Sequence, residues 1–258
     1  MRIATWNVNS IKARLPTVLD VLGSIAADVV CLQELKCETG AFPYLEIEEQ
    51  GWNCAVHGQK TYNGVAILSK FPLEDISKEM RTLKDDQARY IEATVLSPRP
   101  VRVAGLYVPN GNPAPGEKYD YKLEWSEALE LQARSLLRTE QPFVLCGDFN
   151  CIPGPDDCWD DTVWNTDALG LPETRAAFRR LKHIGLTEAF EACDGRAHQY
   201  TFWDYQAGAF QKDHGIRIDH ILACPRMADR LKAIEVFRKA RALEKPSDHV
   251  PVIATFED

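Results

Sequence analysis

The sequence predicts an α/β fold in which two packed β-sheets are flanked by helices. Apolar runs with the length of buried strands outnumber helical segments, and the two kinds alternate irregularly along the 258 residues. A regular doubly wound sheet would instead show steady βαβ units. Several strand-like runs carry a carboxylate, amide, phenol or imidazole at one end. We therefore expect one domain over residues 1–258, with a site assembled from several strand ends.

The N-terminal part of the chain predicts two helices among several strands. In the segment 10–25, Ile11, Leu15, Val18, Leu19 and Leu22 recur at helical spacing. A shorter helix is expected over 42–49. Apolar runs bounded by turn residues predict strands over 3–6, 29–32, 54–57 and 64–69.

The rest of the chain predicts two further helices and most of the strands. The segment 119–138 has the strongest helical pattern, with Leu123, Leu129 and Leu136 available for a buried face. A helix over 173–184 ends before Gly185, where a C-cap belongs. Strands are expected over 91–96, 101–107, 143–146, 199–203, 217–223, 233–237 and 250–256. The loop 151–171 is long for a compact domain and contains Trp159 and Trp164, which is typical of a binding loop.

Polar residues follow the strand over 143–146 in a pattern that recurs along the chain. Asp148 and Asn150 are two residues apart, so their side chains leave the same side of an extended backbone. Taken alone, this pattern could be a turn after a buried strand. Its recurrence at other strand ends favours a single site. The polar set consists of Asn7, Asn9, Glu34, Tyr107, Asn110, Asp148, Asn150, Asp219, Asp248 and His249.

The charge and composition of the chain limit its function and location. The net charge of −8 and pI of about 5.4 count against a protein that coats nucleic acid non-specifically. They are compatible with an enzyme that approaches a phosphodiester through a bound cation. No apolar stretch reaches the roughly 20 residues of a membrane span. The first predicted strand begins directly after Met1 and Arg2, so we expect no signal peptide, and a monomeric cytoplasmic protein.

The 8 cysteines predict neither a disulfide framework nor a zinc site. Their spacings are irregular, and no pair has the Cys-x-x-Cys pattern. Cys31, Cys146 and Cys224 lie inside apolar runs, where a free thiol behaves as a small hydrophobic residue. We therefore expect reduced cysteines that pack in the core.

The polar set predicts metal-assisted hydrolysis. Carboxylate and amide oxygens suit a hard divalent ion such as Mg²⁺ or Mn²⁺. The sequence has no nucleophile elbow and no glycine-rich phosphate loop, so covalent catalysis lacks a candidate residue. A positioned water that attacks phosphorus remains the simplest scheme. His249 beside a carboxylate could neutralise a phosphate oxygen, although a structural histidine at a strand edge is an equally good interpretation of that residue alone.

With these residues the sequence resembles a known family, the exonuclease III type of apurinic/apyrimidinic endonucleases in the DNase I-like superfamily. The resemblance covers nearly the whole chain and follows the family order. The motifs are TWNVN at 5–9, LQELK at 32–36, GQK at 58–60, YNGVAILSK at 62–70, LYVPNG at 106–111, GDFN at 147–150, TFWDY at 201–205, GIRIDH at 215–220 and KPSDHVP at 245–251. This resemblance implies a four-layer α/β sandwich, in which two mixed β-sheets pack together between layers of helices.

The resemblance also implies a role for each residue of the polar set. Glu34 would be the principal Mg²⁺ ligand, with Mn²⁺ as a possible substitute. The residues that would lie close to this ion are Asn7, Asp248 and, as an additional candidate, Asn9. Where the family is given a second ion, it is surrounded by Asp148, Asn150 and His249.

The catalytic roles carry over in the same way. Asp148 would orient or deprotonate the attacking water, and Asn150 would hydrogen-bond to that water or to the transition state. His249, paired with Asp219, would contact the scissile phosphate. Tyr107 would support the phosphate or the leaving oxygen.

The residues expected to face DNA form a separate group. Phe202, Ile216 and Ile218 match the family's pocket for a deoxyribose without a base. Lys60, Asn110 and Arg217 complete the predicted DNA-binding set, and the lysines at 118 and 122 are weaker candidates. The loop 151–171 does not align residue by residue with the family. In some relatives such a loop blocks the pocket and restricts the enzyme to 3′ ends.

Three hypotheses follow for the function. The first is a Mg²⁺-dependent nuclease that acts on duplex DNA with damaged, nicked or recessed 3′ ends, with incision beside abasic sites left open as a second activity. The second is a phosphatase or phosphodiesterase of the same fold that acts on phosphoinositides or sphingomyelin, against which the segments 62–70 and 202–218 argue. The third is a non-catalytic binding scaffold, which would predict gaps in the polar set.

Overall fold

The computed structural model describes residues 1–257 and contains two six-stranded β-sheets that pack against each other between layers of helices. The strands are β1 (Arg2–Asn7), β2 (Val29–Gln33), β3 (Asn53–His57), β4 (Val65–Ser69), β5 (Leu73–Ser77), β6 (Tyr90–Val95), β7 (Val101–Tyr107), β8 (Phe143–Asp148), β9 (Thr187–Glu188), β10 (Asp219–Ala223), β11 (Leu231–Val236) and β12 (Val252–Phe256). Their order is β11-β12-β1-β2-β4-β3 in the first sheet and β5-β6-β7-β8-β10-β9 in the second. The predicted four-layer sandwich is confirmed.

The helices are more numerous than predicted, and the first two are shorter than predicted. They are α1 (Leu15–Ser24), α2 (Tyr44–Glu48), α3 (Glu117–Leu137), α4 (Asp161–Trp164), α5 (Pro172–His183), α6 (Ala189–Cys193), α7 (Ala209–Lys212) and α8 (Pro225–Ala228). Short 3₁₀ turns cover Thr39–Ala41, Pro155–Asp157 and Arg238–Ala242. The turn Pro155–Asp157 and helix α4 give the predicted loop 151–171 some regular structure.

The main core lies between the two sheets. Ile3 and Cys31 from the first sheet and Val103 and Leu145 from the second are fully buried in the same cluster. On the far side of the second sheet, Trp125 of α3 belongs to this cluster too. A second cluster covers the far side of the first sheet, where α1 packs. Burial on both faces explains why the central strands are continuous apolar runs rather than alternating ones.

Strand direction brings the polar strand ends to one edge of the sandwich. Strands β1 and β2 are parallel neighbours in the first sheet, and β7 and β8 are parallel neighbours in the second. Their C-terminal ends therefore point the same way within each sheet. Strand β10 runs antiparallel to β8, so Asp219 at its start pairs with Asp148 at the end of β8. Strand β12 is antiparallel to β1, which brings the residues before β12 to the end of β1.

Two predicted elements differ from the structure for local reasons. The helix expected from residue 10 begins only at Leu15, since Asn9 and Ser10 have positive φ values of 44° and 88° and residues 11–14 form a turn. Pro16 then occupies the first turn, where its missing N–H has no helical acceptor to lose.

The strand expected over 199–203 is also absent as a continuous strand. Only Phe202 pairs, through isolated bridges to Ile216 and to His249. The segment crosses between two neighbours, because the amide of Thr201 donates to Ile216 and the amide of Trp203 donates to Asp248. The edge strands β5 and β9 were not predicted, since their residues are polar or very few.

The predictions about membrane spans and cysteines concern residues that the structure describes. No helix in this part of the chain is long and apolar enough to cross a membrane. All eight cysteines are free thiols, as predicted, and most are buried.

Candidate active site

The centre of the candidate site is Asn7, whose side-chain amide lies between two carboxylates. Its Nδ2 donates to Glu34 Oε1 at 2.8 Å and to Asp148 Oδ2 at 3.0 Å. These residues end β1, follow β2 and end β8, so this contact joins the two sheets. Asn7 and Asp148 are buried. A buried carboxylate needs a donor or a cation to compensate for lost water, and here the amide supplies part of that compensation.

His249 lies between Asp148 and a second carboxylate, that of Asp219, which holds its ring. Its Nδ1 donates to Asp219 Oδ2 at 2.9 Å, and its Nε2 lies 3.8 Å from Asp148 Oδ2. Thr201 Oγ1 donates to the same Asp219 oxygen at 2.6 Å and accepts from the amides of Ile218 and Asp219. The position of the imidazole is therefore determined by a chain of three side chains.

The charge of His249 follows from its buried surroundings. Burial alone would lower the pKa of the imidazole, but Asp219 and Asp148 outweigh it and raise the pKa to about 10. The ring is therefore an imidazolium at neutral pH, with Nε2–H directed away from Asp219. Such a group can donate to a phosphate oxygen and offset its charge.

Asp148 has the opposite tendency to lose its charge. Burial is the largest cause that raises its pKa, and Asp219 raises it further, while the His249 charge lowers it. The amide of Asn150 donates to Asp148 Oδ1 at 2.9 Å and partly offsets this effect. A carboxylate with a raised pKa can accept a proton from water more readily than an ordinary aspartate.

Tyr107 and Asn150 form one wall of the site. Burial, followed by the charges of Glu34 and Asp148, raises the pKa of Tyr107, so it remains a phenol that can donate. Asn150 Nδ2 donates to the carbonyl of Val108 at 2.9 Å. Asn150 Oδ1 accepts from Asn110 Nδ2 at 3.2 Å. The second N–H of Asn150 has no acceptor among residues 1–257, so it can donate to a water or phosphate oxygen.

The opposite wall contains Asn9, Asp248 and a lysine. Asn9 Nδ2 donates to Asp248 Oδ1 at 3.0 Å, and Asn9 Oδ1 accepts from Lys36 Nζ at 2.5 Å. Lys36 Nζ also lies 2.9 Å from Glu34 Oε2. Although burial would raise the pKa of Glu34, Lys36 and Asn7 outweigh it and lower that pKa. Glu34 is therefore ionised at neutral pH.

The donor set fits a hard divalent cation in part. Donor atoms of Glu34, Asp148 and His249 lie within 4.8 Å of one another. Glu34 and Asp148 offer carboxylate oxygens, which suit Mg²⁺ or Mn²⁺. His249 fits less well as a ligand, because its imidazolium would first have to lose a proton. Asp248 lines the same cavity but is not one of these three groups.

A cavity of about 580 Å³ opens above these groups. Its upper part is aromatic and apolar, and its polar floor contains Glu34, Tyr107, Asn110, Asp148, Asn150, Asp248 and His249. Trp159 stacks on His214 with ring centres 4.0 Å apart. Residues of the upper part are Trp159, Val163, Trp164, Leu169, Phe202, His214, Ile216 and Ile218. This arrangement allows a phosphate at the floor and a sugar or base above it.

The predicted DNA-facing residues occupy different environments. Phe202, Ile216 and Ile218 line the cavity, and the Phe202 ring lies 4.9 Å from the His249 ring. Asn110 lines it too. Lys60 is exposed in the loop between β3 and β4, so its assignment to DNA stays a prediction.

Two basic residues expected near DNA are instead buried. Arg217 is 3% exposed, and its guanidinium faces Asp157 and Glu188 in the interior. Lys122 is 1% exposed and donates to the carbonyls of Asn110 and Asn150 at 3.0 and 2.6 Å. Neither cation can reach a DNA phosphate from these positions. The DNA-facing assignments of both are therefore wrong.

Several residues that the structure places at the site were not predicted from the sequence. Thr201 and Lys36 lie inside motifs that were recognised, but nothing in the sequence showed which partners they bind. Ser247 Oγ donates to the carbonyl of Asn7 at 2.7 Å and accepts from the amide of His249. This bond joins the first strand to the segment before the last one. The length of the 151–171 loop and its tryptophans were the signal for the contribution of that loop to the upper part of the cavity.

The profile of the Endonuclease/Exonuclease/phosphatase family matches residues 4–249 of this chain. Exodeoxyribonuclease III of Haemophilus influenzae is 30% identical over 270 residues, which cover all of both chains. The exodeoxyribonuclease of Bacillus subtilis is 31% identical and covers 98% of both.

Solved structures give the same result. A 3′-5′ exonuclease, NExo, from Neisseria meningitidis superposes over the full length of both chains with a TM-score of 0.96 and 40% identity. NExo has also been solved as a 3′ phosphatase bound to a product DNA hairpin. An AP endonuclease from Archaeoglobus fulgidus superposes with a TM-score of 0.95 and 34% identity over both full chains.

Proposed function

The chain belongs to the endonuclease/exonuclease/phosphatase family, and within it we propose that the protein is a Mg²⁺-dependent DNA repair nuclease of the exonuclease III type. The observation that carries this proposal is the pairing of the Asn7, Glu34 and Asp148 cluster with the His249 imidazolium at the floor of one cavity. Relatives of this chain are exodeoxyribonucleases, AP endonucleases and a 3′ phosphatase. All of these activities hydrolyse a phosphate ester of DNA.

The proposed substrate is duplex DNA with a nicked, recessed or damaged 3′ end. The reaction would be 3′-5′ exonuclease, 3′-phosphatase or 3′-phosphodiesterase hydrolysis, with incision 5′ to an abasic site as a further activity. NExo, an exonuclease and 3′ phosphatase, shares more sequence with this chain than the AP endonuclease from Archaeoglobus does. This comparison supports 3′ ends as the principal substrate.

The proposed role of each residue in hydrolysis follows from its charge and its position. Asp148 would accept a hydrogen bond, and then the proton, from the attacking water, because its buried carboxylate has a raised pKa. The free N–H of Asn150 would orient the same water. The His249 imidazolium and the Tyr107 phenol would donate to phosphate oxygens as negative charge develops.

Glu34 would hold the divalent ion, with the amide of Asn7 and the carboxylate of Asp248 nearby, and Asp148 would remain available for the attacking water. When bound, Mg²⁺ neutralises phosphate charge and favours the ionised form of the carboxylates around it. Lys36 keeps Glu34 ionised before the ion arrives, because it lies beside Oε2.

The function is tested with three duplexes that differ only at the lesion: a nick with a 3′-phosphate, a recessed 3′-hydroxyl and an internal abasic-site analogue. Each is incubated with Mg²⁺, with Mn²⁺ or with a chelator. We expect metal-dependent turnover of the first two, and the third measures the endonuclease activity. No turnover of any duplex, together with turnover of a phosphoinositide or sphingomyelin, would replace the nuclease by the alternative hydrolase.

The residue assignment is tested with Asp148→Asn and His249→Asn. Each change is expected to lower kcat on the 3′-phosphate duplex by roughly 10³-fold, because it removes a proton acceptor or a positive charge. Asp20→Asn and His183→Asn are matched controls, because both side chains are exposed on helices away from the cavity. Full activity in both site variants, with folded protein, would contradict the assignment.

A further inference from the structure

Arg217 lies in the chain between two residues that line the cavity, yet its own side chain points to the other side. Ile216 and Ile218 contribute to the cavity wall. Arg217 is between them in an extended segment, so its side chain leaves the opposite face. Its guanidinium carbon lies 4.6 Å from the centre of the Phe190 ring, in the interior behind that wall.

Two carboxylates from different parts of the fold bind the Arg217 guanidinium. Asp157 Oδ1 accepts from Nε at 2.8 Å and lies 2.7 Å from one terminal nitrogen. Glu188 Oε1 lies 3.3 Å from the other terminal nitrogen. Burial would raise the pKa of Glu188, but Arg217 outweighs it, and the pKa falls to about 2. The buried pair is therefore charged, and each partner depends on the others.

The Asp157 side of this cluster belongs to the segment 151–171. The backbone of that segment pairs briefly with the Arg217 strand, through a bridge between Cys158 and Ile216. The Arg217 amide donates to the carbonyl of Asp157 at 2.8 Å, and the Trp159 amide donates to Gly215 at 3.0 Å. The Arg217 guanidinium therefore binds the carboxylate of Asp157, and the backbone on either side of Asp157 also pairs with the backbone around Arg217.

The other face of the same segment lines the cavity. Trp159, Val163, Trp164 and Leu169 form part of its wall, opposite the polar floor. His220, on the strand after Arg217, adds a second tie, because its Nε2 donates to the carbonyl of Cys151 at 3.1 Å. The wall of the cavity is thus attached to the core from behind, by residues that do not themselves line the cavity.

We propose that Arg217 is a positioning residue that sets the distance between two walls of the cavity, one formed by Ile216 and Ile218 and the other by the segment 151–171. In this way it selects which group beyond the scissile phosphate is accepted. This proposal rests on the proposed function. An exonuclease substrate places its terminal nucleotide in the cavity above the phosphate. A 3′-phosphate on the same duplex places nothing there. The contact between Arg217 and Asp157 therefore affects the first reaction and not the second.

The experiment separates positioning from simple stability by breaking one side of the cluster at a time. Asp157→Asn weakens the tie to the cavity wall. Glu188→Gln weakens the tie to β9, removes the same charge from the same guanidinium, and leaves the wall attached. Both variants are compared with the unmodified protein on a recessed 3′-hydroxyl duplex and on the same duplex with a 3′-phosphate.

For Asp157→Asn we expect the ratio of kcat/KM for nucleotide removal to kcat/KM for phosphate removal to fall at least about fivefold, because a misplaced wall binds the terminal nucleotide less tightly. The loss should arise mainly in KM. Turnover of the 3′-phosphate should stay within about twofold. Glu188→Gln should keep the ratio of the unmodified protein while lowering its thermal stability.

Amide hydrogen exchange supplies a readout that does not depend on activity. In Asp157→Asn the amides of Trp159 and Arg217 should exchange faster, and in Glu188→Gln they should not. The proposal is overturned if Asp157→Asn leaves the ratio and these amides unchanged, or if Glu188→Gln lowers the ratio equally. If the unmodified protein hydrolyses neither duplex, the proposed function fails, and the exchange data alone decide whether Arg217 holds the wall.

Discussion

Asp219 determines the charge of His249. Thr201 and His249 both donate to the same oxygen of Asp219, Oδ2. The other, Oδ1, is buried and has no hydrogen-bond partner in the part of the chain that the structure describes. Leaving a carboxylate this poorly solvated is costly unless a positive charge lies beside it. The imidazolium of His249 supplies that charge.

Asp219→Asn is expected to lower the pKa of His249 from about 10 towards its ordinary value near 6.5. A histidine whose pKa is higher in the folded state stabilises the fold fully below about pH 6.5. That stabilisation is lost as the pH rises through the folded value. The variant should therefore lose stability less steeply between these two pH values.

The measurement is a nitrogen NMR titration of the His249 ring in metal-free protein, together with urea unfolding at several pH values. Asp204→Asn is the control, because this exposed carboxylate lines the cavity mouth without touching the ring. An unchanged His249 titration in Asp219→Asn would show that Asp219 does not determine the charge.

At the scale of elements, the parallel pair β7 and β8 places Tyr107 beside Asp148. The close approach of these strands depends on Gly147. A Cβ at this position would lie 1.9 Å from the carbonyl oxygen of Leu106, in a neighbouring strand that cannot move away easily. The φ of Gly147 is not in the left-handed region, so backbone conformation does not require a glycine here. The close approach of the neighbouring backbone does. The position of Asp148, one residue later, depends on that proximity.

Gly147→Ala is expected to destabilise the protein by about 3 kcal/mol or more, because strands β7 and β8 must separate. Gly23→Ala is the matched control, since a Cβ in α1 would meet nothing within 4 Å. Removing that helical glycine should stabilise the protein by roughly 0.5–1 kcal/mol. Denaturant unfolding of both variants checks the two signs. Equal effects would contradict the packing argument.

At the scale of the whole molecule, the site joins both ends of the chain and both sheets. The indole of Trp6 donates to the carbonyl of His249 at 3.1 Å, across 243 residues of sequence. Asn7 links the first sheet to Asp148 in the second. A metal held by Glu34, with Asn7 from the end of β1 and Asp248 from the segment before β12 nearby, would therefore bind the folded chain and have little affinity for the unfolded one.

Mg²⁺ is expected to raise the thermal unfolding temperature by several degrees, because a ligand at 100 times its Kd adds about 2.7 kcal/mol to the stability. Glu34→Gln should abolish the increase, whatever its own effect without metal. Asp20→Asn, on the exposed face of α1, should retain it. Differential scanning calorimetry with and without Mg²⁺ gives the result. An equal increase in Glu34→Gln would place the ion elsewhere.

The sequence by itself predicted the sandwich and most of the polar floor. A strand that is buried on both faces is a continuous apolar run, and the first polar residue after it must lie at a sheet edge. Asn7, Glu34 and Asp148 could be found in this way, because the information is local. The family motifs then supplied the partners of His249. The start of the first helix was less accurate, because the positive φ values of Asn9 and Ser10 are not helical and no local pattern showed them.

Only the tertiary structure decided which charged residues face the solvent and which face each other. Arg217 and Lys122 have the sequence pattern of basic surface residues, yet both are buried. Arg217 meets Asp157 across 60 positions, and Lys122 meets Asn150 across 28. A charged side chain can be buried only where such partners converge, and that convergence depends on how distant segments pack. The shape of the cavity has the same origin, since its walls come from segments that no local pattern relates.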